Sequence, residues 1–327
     1  MISFENVTKT YPGEVDAVID LTLEVAEGET ISLLGTSGSG KTTTMKMVNR
    51  LVDPTCGRIL VAGVDIMEQD PTVLRRSMGY AIQHIGLFPH MSVAENIGVV
   101  PNLLGWDRKR VDERVDTLLS MVGLEPGEFR DRMPSQLSGG QRQRIGVARA
   151  LGADPPIILM DEPFGALDPI TREELQNEFL ELETEIRKTI LFVTHDVFEA
   201  VKMGDRIALM DEGRLQQFAT PRELVENPAN EFVDQFLGQH RFQLSLLTRT
   251  VRTIVDEVAD TDGQGPSQRP EVFIPGHSSL VAALDLFKTT GRETIPVYLR
   301  DKYRGTLSKS DLIKVISQIL GDTGGGQ

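Results

Sequence analysis

The feature that most constrains this chain is a glycine-rich segment, GTSGSGKT, at residues 35–42. It follows the apolar run from Thr30 to Leu34 and precedes a helical pattern, so it fits the phosphate loop G-x-x-x-x-G-K-[ST] with both required flanks. Glycines let successive backbone N–H groups point inward, and the N-terminus of the following helix adds positive potential. The segment therefore predicts a cradle for a nucleoside triphosphate. An ordinary glycine-rich turn is the alternative, and it does not explain why Lys41 and Thr42 follow the last glycine in register.

Individual roles in this cradle follow from side-chain chemistry. Lys41 reaches the terminal phosphates, and the hydroxyl of Thr42 is a ligand suited to Mg²⁺. The nucleotide-binding residues expected in this segment are Gly35, Thr36, Ser37, Gly38, Ser39, Gly40, Lys41, Thr42 and Thr43.

A second element is an apolar run, Ile157 to Met160, that ends in two carboxylates. We expect Asp161 to hold Mg²⁺ directly or through water, and Glu162, pointing away from it, to accept a proton from the attacking water. Taken alone this pattern is weak, because acidic residues often end strands at solvent. After a phosphate loop, the functional interpretation is the better one.

The fold class follows from short apolar runs that alternate with helical patterns. Their Ile, Val and Leu content without strict alternation predicts strands covered on both faces, in an α/β fold with a parallel sheet and antiparallel pieces near the N-terminus. The residues 107–122 place apolar side chains on one helical face, before Gly123 as a stop. We expect a mainly helical subdomain at about 84–150. The predicted strands are Thr30 to Leu34, Arg58 to Val61, Ile157 to Met160, Ile190 to Val193 and Ile207 to Met210.

Composition narrows the classes of partner. Among 327 residues, 34 Lys and Arg face 48 Asp and Glu, a net charge of −14, which argues against a broad surface for nucleic acid. The chain shows no apolar stretch long enough to span a membrane and no secretory signal at its start. We therefore expect a soluble protein with no nucleic-acid partner.

A third motif, Leu137 to Gln141 (LSGGQ), stands before a good helix pattern and makes a second anion-ready helix N-terminus. With this pentapeptide the sequence resembles the nucleotide-binding subunits of ATP-binding cassette (ABC) transporters. The resemblance covers about residues 1–239 and implies a P-loop ATPase of ATP and Mg²⁺. It also implies a head-to-tail dimer of two copies, in which Ser138, Gly139, Gly140 and Gln141 of one copy cover the γ-phosphate bound by the other. A serine-capped helix is the simpler alternative.

The same resemblance assigns further positions. Tyr11 matches the aromatic residue that stacks on adenine, and Gln83 matches the glutamine that links the metal and the water to the transmembrane partner. Asp168 matches the dimer-contact loop, and His195 matches the switch histidine that contacts the γ-phosphate. The expected catalytic residues are therefore Glu162, His195 and Gln83, and the expected metal ligands are Thr42, Gln83 and Asp161.

Within the family, the segments 75–90 and 102–106 are similar to importers of quaternary ammonium osmoprotectants such as glycine betaine, choline and carnitine. This implies a peripheral subunit on the cytoplasmic face of the cell membrane, bound to permease subunits and served indirectly by a solute-binding protein. Three alternatives stay open: an importer ATPase for another small solute, a soluble cassette protein acting on DNA or ribosomes, and a regulatory ATP binder that does not hydrolyse.

Composition shifts near residue 239, and a second domain is expected at 240–320, with a polar loop at 259–270 and a disordered tail at 321–327. The segment predicts the order strand, helix, strand, strand, helix. The residues Gly305 to Asp311 are similar to one repeat of a regulatory module of the cystathionine-β-synthase (CBS) type, in which Ser308 and Asp311 contact a nucleotide. Capping of the last helix by these two residues is an equal alternative.

Overall fold

The structure is a computed structural model that describes residues 1–82, 86–165, 167–258, 270–299 and 302–324. It divides into two compact units, Met1–Thr220 and Pro221–Gln327. The sequence predicts a boundary at residue 239, whereas the division in the structure lies between Thr220 and Pro221. The difference arises because a helix beginning at Pro221 packs on the helix Arg241–Thr248, and so belongs with the second unit.

The first unit contains two sheets and the helices that cover them. Its strands are β1 (Ile2–Tyr11), β2 (Val15–Val25), β3 (Thr30–Gly35), β4 (Cys56–Val61), β5 (Val64–Asp65), β6 (Met78–Ala81), β7 (Ile157–Asp161), β8 (Thr189–Val193), β9 (Arg206–Asp211) and β10 (Arg214–Ala219). Its helices are α1 (Lys41–Val48), α2 (Pro71–Arg76), α3 (Val93–Leu103), α4 (Arg108–Met121), α5 (Pro126–Phe129), α6 (Gly139–Ala150), α7 (Pro169–Ile186) and α8 (Val197–Met203).

The six-stranded sheet has the order β10-β9-β3-β8-β7-β6, and all neighbours are parallel except β10 with β9. Alternate residues of its central strands enter two different cores: Ile158 and Met160 pack on the helical side, while Ile157 and Leu159 pack on the other. Burial on both faces explains the uninterrupted apolar runs, and the predicted parallel sheet is confirmed.

One predicted strand belongs elsewhere. The run Arg58 to Val61 lies in β4, within the four-stranded antiparallel sheet β2-β1-β4-β5. Here Arg58 is exposed while Ile59 and Val61 are buried, so this strand is covered on one face only. The expectation of burial on both faces was wrong for β4, because a four-residue run is too short to display its period.

The helical stretch forms as the periodicity predicted. Asp107 caps α4, accepting a hydrogen bond from the backbone N–H of Arg110 at 3.0 Å. The buried face of α4 consists of Val111, Val115, Leu118 and Leu119. Gly123 follows the helix with φ +69°, a left-handed conformation that glycine adopts without strain.

The second unit contains short helices followed by a three-stranded sheet, β11-β12-β13. Its elements are α9 (Pro221–Glu226), α10 (Glu231–Leu237), α11 (Arg241–Thr248), α12 (Val251–Val258), β11 (Ile274–Pro275), α13 (Leu280–Thr290), β12 (Thr294–Leu299), β13 (Lys302–Ser308) and α14 (Lys309–Gly324). The predicted order of strand, helix, strand, strand and helix is present from β11 onward.

The last helix of the second unit extends further than the sequence predicts. The disordered tail expected at 321–327 was wrong at its start, because α14 continues to Gly324. Buried Leu312 and Ile319 anchor this helix on the core of the second unit, and the helix continues past them without a helix-breaking proline. The polar loop expected at 259–270 lies outside the described residues except for Pro270. Among the described helices, none is long and apolar enough to cross a membrane.

Candidate nucleotide-binding and hydrolysis site

The site is assembled at the carboxyl ends of three neighbouring parallel strands, β3, β8 and β7. The phosphate loop follows β3, Thr194 and His195 follow β8, and Glu162 follows β7. Backbone hydrogen bonds extend the sheet past its strands: the N–H of Glu162 donates to the carbonyl of Val193 at 2.9 Å, and that of Thr194 to Leu33 at 3.1 Å. Parallel strands therefore bring together motifs that are far apart in sequence.

Two glycines of the phosphate loop are required by their surroundings. Gly35 has φ +150°, and a Cβ atom there would lie 2.1 Å from the carbonyl oxygen of Met210. Gly40 has φ +98°, and a Cβ atom there would lie 2.3 Å from the carbonyl oxygen of Ala17. Neither contact is possible for a side chain, so the loop owes its shape to these residues.

Lys41 lies along the loop and is only 6% exposed. Its Nζ donates hydrogen bonds to the carbonyl oxygens of Gly35 at 2.9 Å and Thr36 at 2.6 Å, and to Ser39 Oγ at 3.2 Å. Burial lowers the pKa of Lys41, while the nearby carboxylates of Glu162 and Asp161 oppose that shift. The ammonium group thus stands between the loop and the acidic end of β7.

The hydroxyl of Thr42 donates a hydrogen bond to Oδ1 of Asp161 at 3.1 Å. Burial raises the pKa of the Asp161 carboxyl, and the hydrogen bond from Thr42 and the charge of Lys46 act against it. A hydroxyl and a carboxylate side by side form an all-oxygen donor set of the kind Mg²⁺ prefers. The residues therefore fit a magnesium ion bound beside the phosphates.

Glu162 and His195 meet across the strand ends. The Nδ1 atom of His195 lies 3.3 Å from Oε1 of Glu162, and the two side chains are 63% and 21% exposed. Glu162 has φ +45°, a strained backbone for a residue with a side chain. Glu162 comes directly after Asp161, but the two carboxylates have different partners. Asp161 accepts from Thr42, and Glu162 lies beside His195.

The helix termini expected at the dimer interface are both capped within this chain. Ser138 accepts a hydrogen bond from the N–H of Gln141 at 3.2 Å, and the side chain of Gln141 accepts from the N–H of Ser138 at 2.9 Å. Asp168 caps α7 through the N–H of Thr171, and the hydrogen bonds from Thr171 lower the pKa of Asp168. A Cβ atom on Gly140 would lie 2.9 Å from Cγ2 of Thr171, so the two termini are adjacent. The serine-capped helix considered above is thus present.

Three further residues were expected at the site: Tyr11, Thr36 and Gln83. Tyr11 ends β1, is 36% exposed, and carries Lys9 Nζ at 5.2 Å from its ring centroid. Thr36 donates to Oδ1 of Asp211 at 3.1 Å, a contact that sequence reasoning did not anticipate. Gln83 lies outside the described residues.

Sequence reasoning also missed Glu199, a buried carboxylate behind His195. Oγ1 of Thr194 donates to its Oε2 at 2.6 Å. The sequence carries a signal for this residue, because Glu199 shares the buried face of α8 with three apolar residues, Val197, Ala200 and Met203. A charged residue in an otherwise apolar stripe is unusual unless it has partners.

Comparison with known proteins agrees with this geometry. The model of the family described as "ABC transporter" matches residues 18–165. The carnitine transport ATP-binding protein OpuCA of Listeria monocytogenes is 51% identical over 91% of this chain and 72% of its own length. The glycine betaine uptake system ATP-binding protein YehX of Escherichia coli (strain K12) is 46% identical over 96% of this chain and 99% of its own.

A solved structure has the same fold. The dimeric post-hydrolysis state of the ATP-binding cassette MJ0796, bound to ADP and Pi, is 35% identical with a TM-score of 0.61, over 67% of this chain and 98% of that one. The phosphate loop and the acidic strand end both lie within the residues that match the family. This chain belongs to the ABC transporter family and is an ABC-type ATPase.

Proposed function

We propose that this chain is the ATP-hydrolysing subunit of an importer for a quaternary ammonium solute. The observation that carries the proposal is the likeness to YehX, which is named for glycine betaine uptake and aligns with nearly the whole chain. Relatives named for carnitine and for choline transport point to the same class of solute. The alternative of another small solute is represented by the sulfate/thiosulfate import ATP-binding protein CysA of Nocardia farcinica, which is 42% identical over a smaller share of this chain, 73%.

For hydrolysis, the phosphate loop binds the triphosphate through its backbone N–H groups, and Lys41 turns from the loop carbonyls to the terminal phosphates. Thr42 and Asp161 would hold Mg²⁺, and a bound magnesium ion would neutralise charge on the phosphate oxygens. Glu162 orients the attacking water and accepts its proton. His195, 3.3 Å from Glu162, fixes that carboxylate and presents its other ring nitrogen towards the γ-phosphate.

The site is completed by a second copy of this chain. We propose that the signature segment of one copy covers the γ-phosphate of the ATP bound by the other copy, and that Asp168 lies in the contact between the two copies. The segment consists of Ser138, Gly139, Gly140 and Gln141. Ser138 is exposed, so its helix N-terminus is accessible to a phosphate of another molecule. The dimeric structure of the cassette MJ0796 supports a dimer of this chain. Tyr11 stacks on adenine, and Gln83 carries the signal to the permease.

The remaining partners are transmembrane permease subunits and, indirectly, a solute-binding protein, with this subunit on the cytoplasmic face of the membrane. The second unit is proposed to be a CBS-like regulatory domain that pairs with its copy across the dimer. In α14 the side chains of Ile313 and Leu320 are 48% and 57% exposed and seven positions apart, on one helical face. Ser308 accepts from the N–H of Asp311 at 3.1 Å, so it caps α14 whether or not it binds a nucleotide.

Uptake in reconstituted vesicles tests the solute class. The complex of this chain with its permease and solute-binding subunits should accumulate glycine betaine, carnitine or choline only when ATP is present on the side of this subunit. The same complex carrying Glu162→Gln is the matched control and should not accumulate them. Uptake of an uncharged sugar or an inorganic anion in preference to all three would contradict the proposed solute.

A further inference from the structure

Behind His195 lies a buried polar network that the proposed mechanism does not use. Its centre is Glu199 on α8, a residue 6% exposed. Oε2 of Glu199 accepts from Oγ1 of Thr194 at 2.6 Å, and Oε1 accepts from Nε2 of Gln176 at 3.2 Å. An ionised carboxylate at this depth costs free energy unless it is hydrogen-bonded, and both of its oxygens are.

The first arm of this network reaches His195. Oγ1 of Thr194 donates to Glu199 and also accepts from the N–H of Asp196 at 3.0 Å. The hydroxyl thereby fixes the residues on either side of His195 in one conformation. Since the His195 side chain is itself 63% exposed, the packing around the ring is sparse, and its position depends on this backbone.

The second arm reaches the loop before Asp168. Arg172 on α7 donates from Nη2 to the carbonyl oxygen of Leu167 at 3.0 Å, and its Nε lies 3.9 Å from Oε1 of Glu199. That Nε is buried and makes no hydrogen bond with any residue that the structure describes. The guanidinium therefore lies between Leu167, in the proposed dimer-contact loop, and the carboxylate of Glu199.

Thr194, Arg172 and Glu199 line one cleft of about 260 Å³ together with Glu162 and His195. Burial raises the pKa of the Glu199 carboxyl; the hydrogen bond from Thr194 and the charges of Arg172 and His195 oppose that shift, and Asp196 adds to it. The network thus connects two loops of one chain that the proposed mechanism treats separately.

We propose that Glu199 is a positioning residue for hydrolysis, which holds His195 against Glu162 through Thr194 and holds the loop before Asp168 through Arg172. The inference rests on the proposed role of His195. It predicts that Glu199 affects the rate of the chemical step and leaves the binding of ATP unchanged.

The test uses Glu199→Gln in the full chain. The amide keeps the shape but places an NH₂ donor where a carboxylate oxygen accepts from Gln176 or from Thr194, and it removes the charge that faces Arg172, so the loops lose their fixed position. We expect kcat for phosphate release to fall about tenfold, while KM and the affinity for ATP stay within about twofold. The matched control is Glu183→Gln on α7, a partly buried carboxyl that accepts from Thr30 at the opposite end of β3. It should change thermal stability but leave kcat unchanged.

A double variant separates positioning from a merely structural role. Because part of the Glu199 effect acts through His195, the loss in His195→Ala with Glu199→Gln should be smaller than the product of the two single losses, since the position of an absent ring no longer matters. Thr194→Val should reproduce the loss and Thr194→Ser should restore activity, since serine keeps the hydroxyl. Arg172→Lys should also lower kcat without changing the affinity for ATP.

The outcomes are distinct. A Glu199→Gln variant with kcat within about twofold of the wild type overturns the proposal, and so does a double variant whose loss is the product of the two single losses. If Glu199→Gln fails to fold, the comparison of Thr194→Val with Thr194→Ser decides by the same criteria. Full activity of His195→Ala would instead contradict the proposed function of the site, whatever Glu199 does.

Discussion

The hydroxyl of Thr42 lies 3.1 Å from Oδ1 of Asp161, although 119 positions separate the two residues in the chain. Strands β3 and β7, each hydrogen-bonded to β8, bring them together. Two properties of Asp161 can be tested separately: its proposed role as a metal ligand, and the raised pKa of its carboxyl.

Asp161→Asn should weaken the Mg²⁺-dependent part of ATP binding and leave binding in the presence of a chelator unchanged, because asparagine keeps the shape and loses the charge. Isothermal titration of ATP with and without Mg²⁺ measures both. Equal effects of the substitution in the two conditions would contradict the metal role.

Asp161→Asn should also change the thermal stability of the protein, in a direction that follows from the pKa of Asp161. Burial raises the folded-state pKa of Asp161, so its contribution to stability is present at low pH and is lost as pH rises through that pKa. At pH 7 without nucleotide, Asp161→Asn should therefore raise Tm by about 2 °C, and the gain should shrink as pH falls through the raised folded-state pKa towards the unfolded value of about 3.9. A lower Tm at pH 7 would show that the charge stabilises the fold.

Gly35→Ala tests the close approach of the phosphate loop to β9. The added Cβ would meet the carbonyl of Met210 at 2.1 Å, so we expect Tm to fall by about 5 °C or more and ATP binding to be lost. Gly63→Ala is the control, because Gly63 has φ +79° with nothing within 4 Å of the added atom. It should cost only about 2 °C and leave ATP binding intact. Similar losses in both variants would refute the steric argument.

Ser138→Arg tests the contribution of one copy to the site of the other. Bulk and charge at this helix N-terminus should abolish cooperative turnover while ATP binding to the monomer remains. Ser138→Ala is needed beside it, since Ser138 also caps α6, and alanine removes the cap without adding bulk. Mixing Ser138→Arg with Lys41→Ala should restore part of the activity, because one interface then pairs two intact halves. Unchanged hydrolysis by Ser138→Arg would exclude the trans contact.

Pairing of the second units is tested on α14. Replacing both Ile313 and Leu320 with Glu should weaken the ATP-free dimer in analytical ultracentrifugation and leave the thermal stability of the chain unchanged, because both side chains are exposed. Lys314→Glu, on the same helix with a side chain 76% exposed, is the control for added negative charge. If the variant with Glu at both 313 and 320 forms a dimer as stable as that of the wild type, the pairing proposal fails.

The elements that sequence predicted best are those whose signal is local. The phosphate loop, the helix capped by Asp107 and the buried runs of the parallel sheet each carry their information within a few residues. The contact between Glu162 and His195 was not predicted, because no local pattern specifies which strands become neighbours. The role of Arg172 could not be read at all, since its partners Leu167 and Glu199 are defined by the packing of α7 against α8 and the loop.

Boundaries were predicted less well, for a related reason. The helices that begin at Pro221 and Glu231 have no marker of the unit to which they belong, and only packing assigns them. The first packs on α11, and the second contacts the short helix Gly238–His240, which itself contacts α11. The glycine-rich end of the chain resembled a disordered tail, yet the buried residues of α14 extend the helix to Gly324.

The most direct measurement of the central claim is phosphate release by Glu162→Gln beside the wild type. Glutamine cannot accept the proton of the attacking water, whereas the phosphate loop, Thr42 and Asp161 remain intact. The account predicts a fall in turnover of about 100-fold or more with Mg-ATP still bound and the two copies held together. Near-normal hydrolysis by this variant would contradict the assignment of Glu162 as the base.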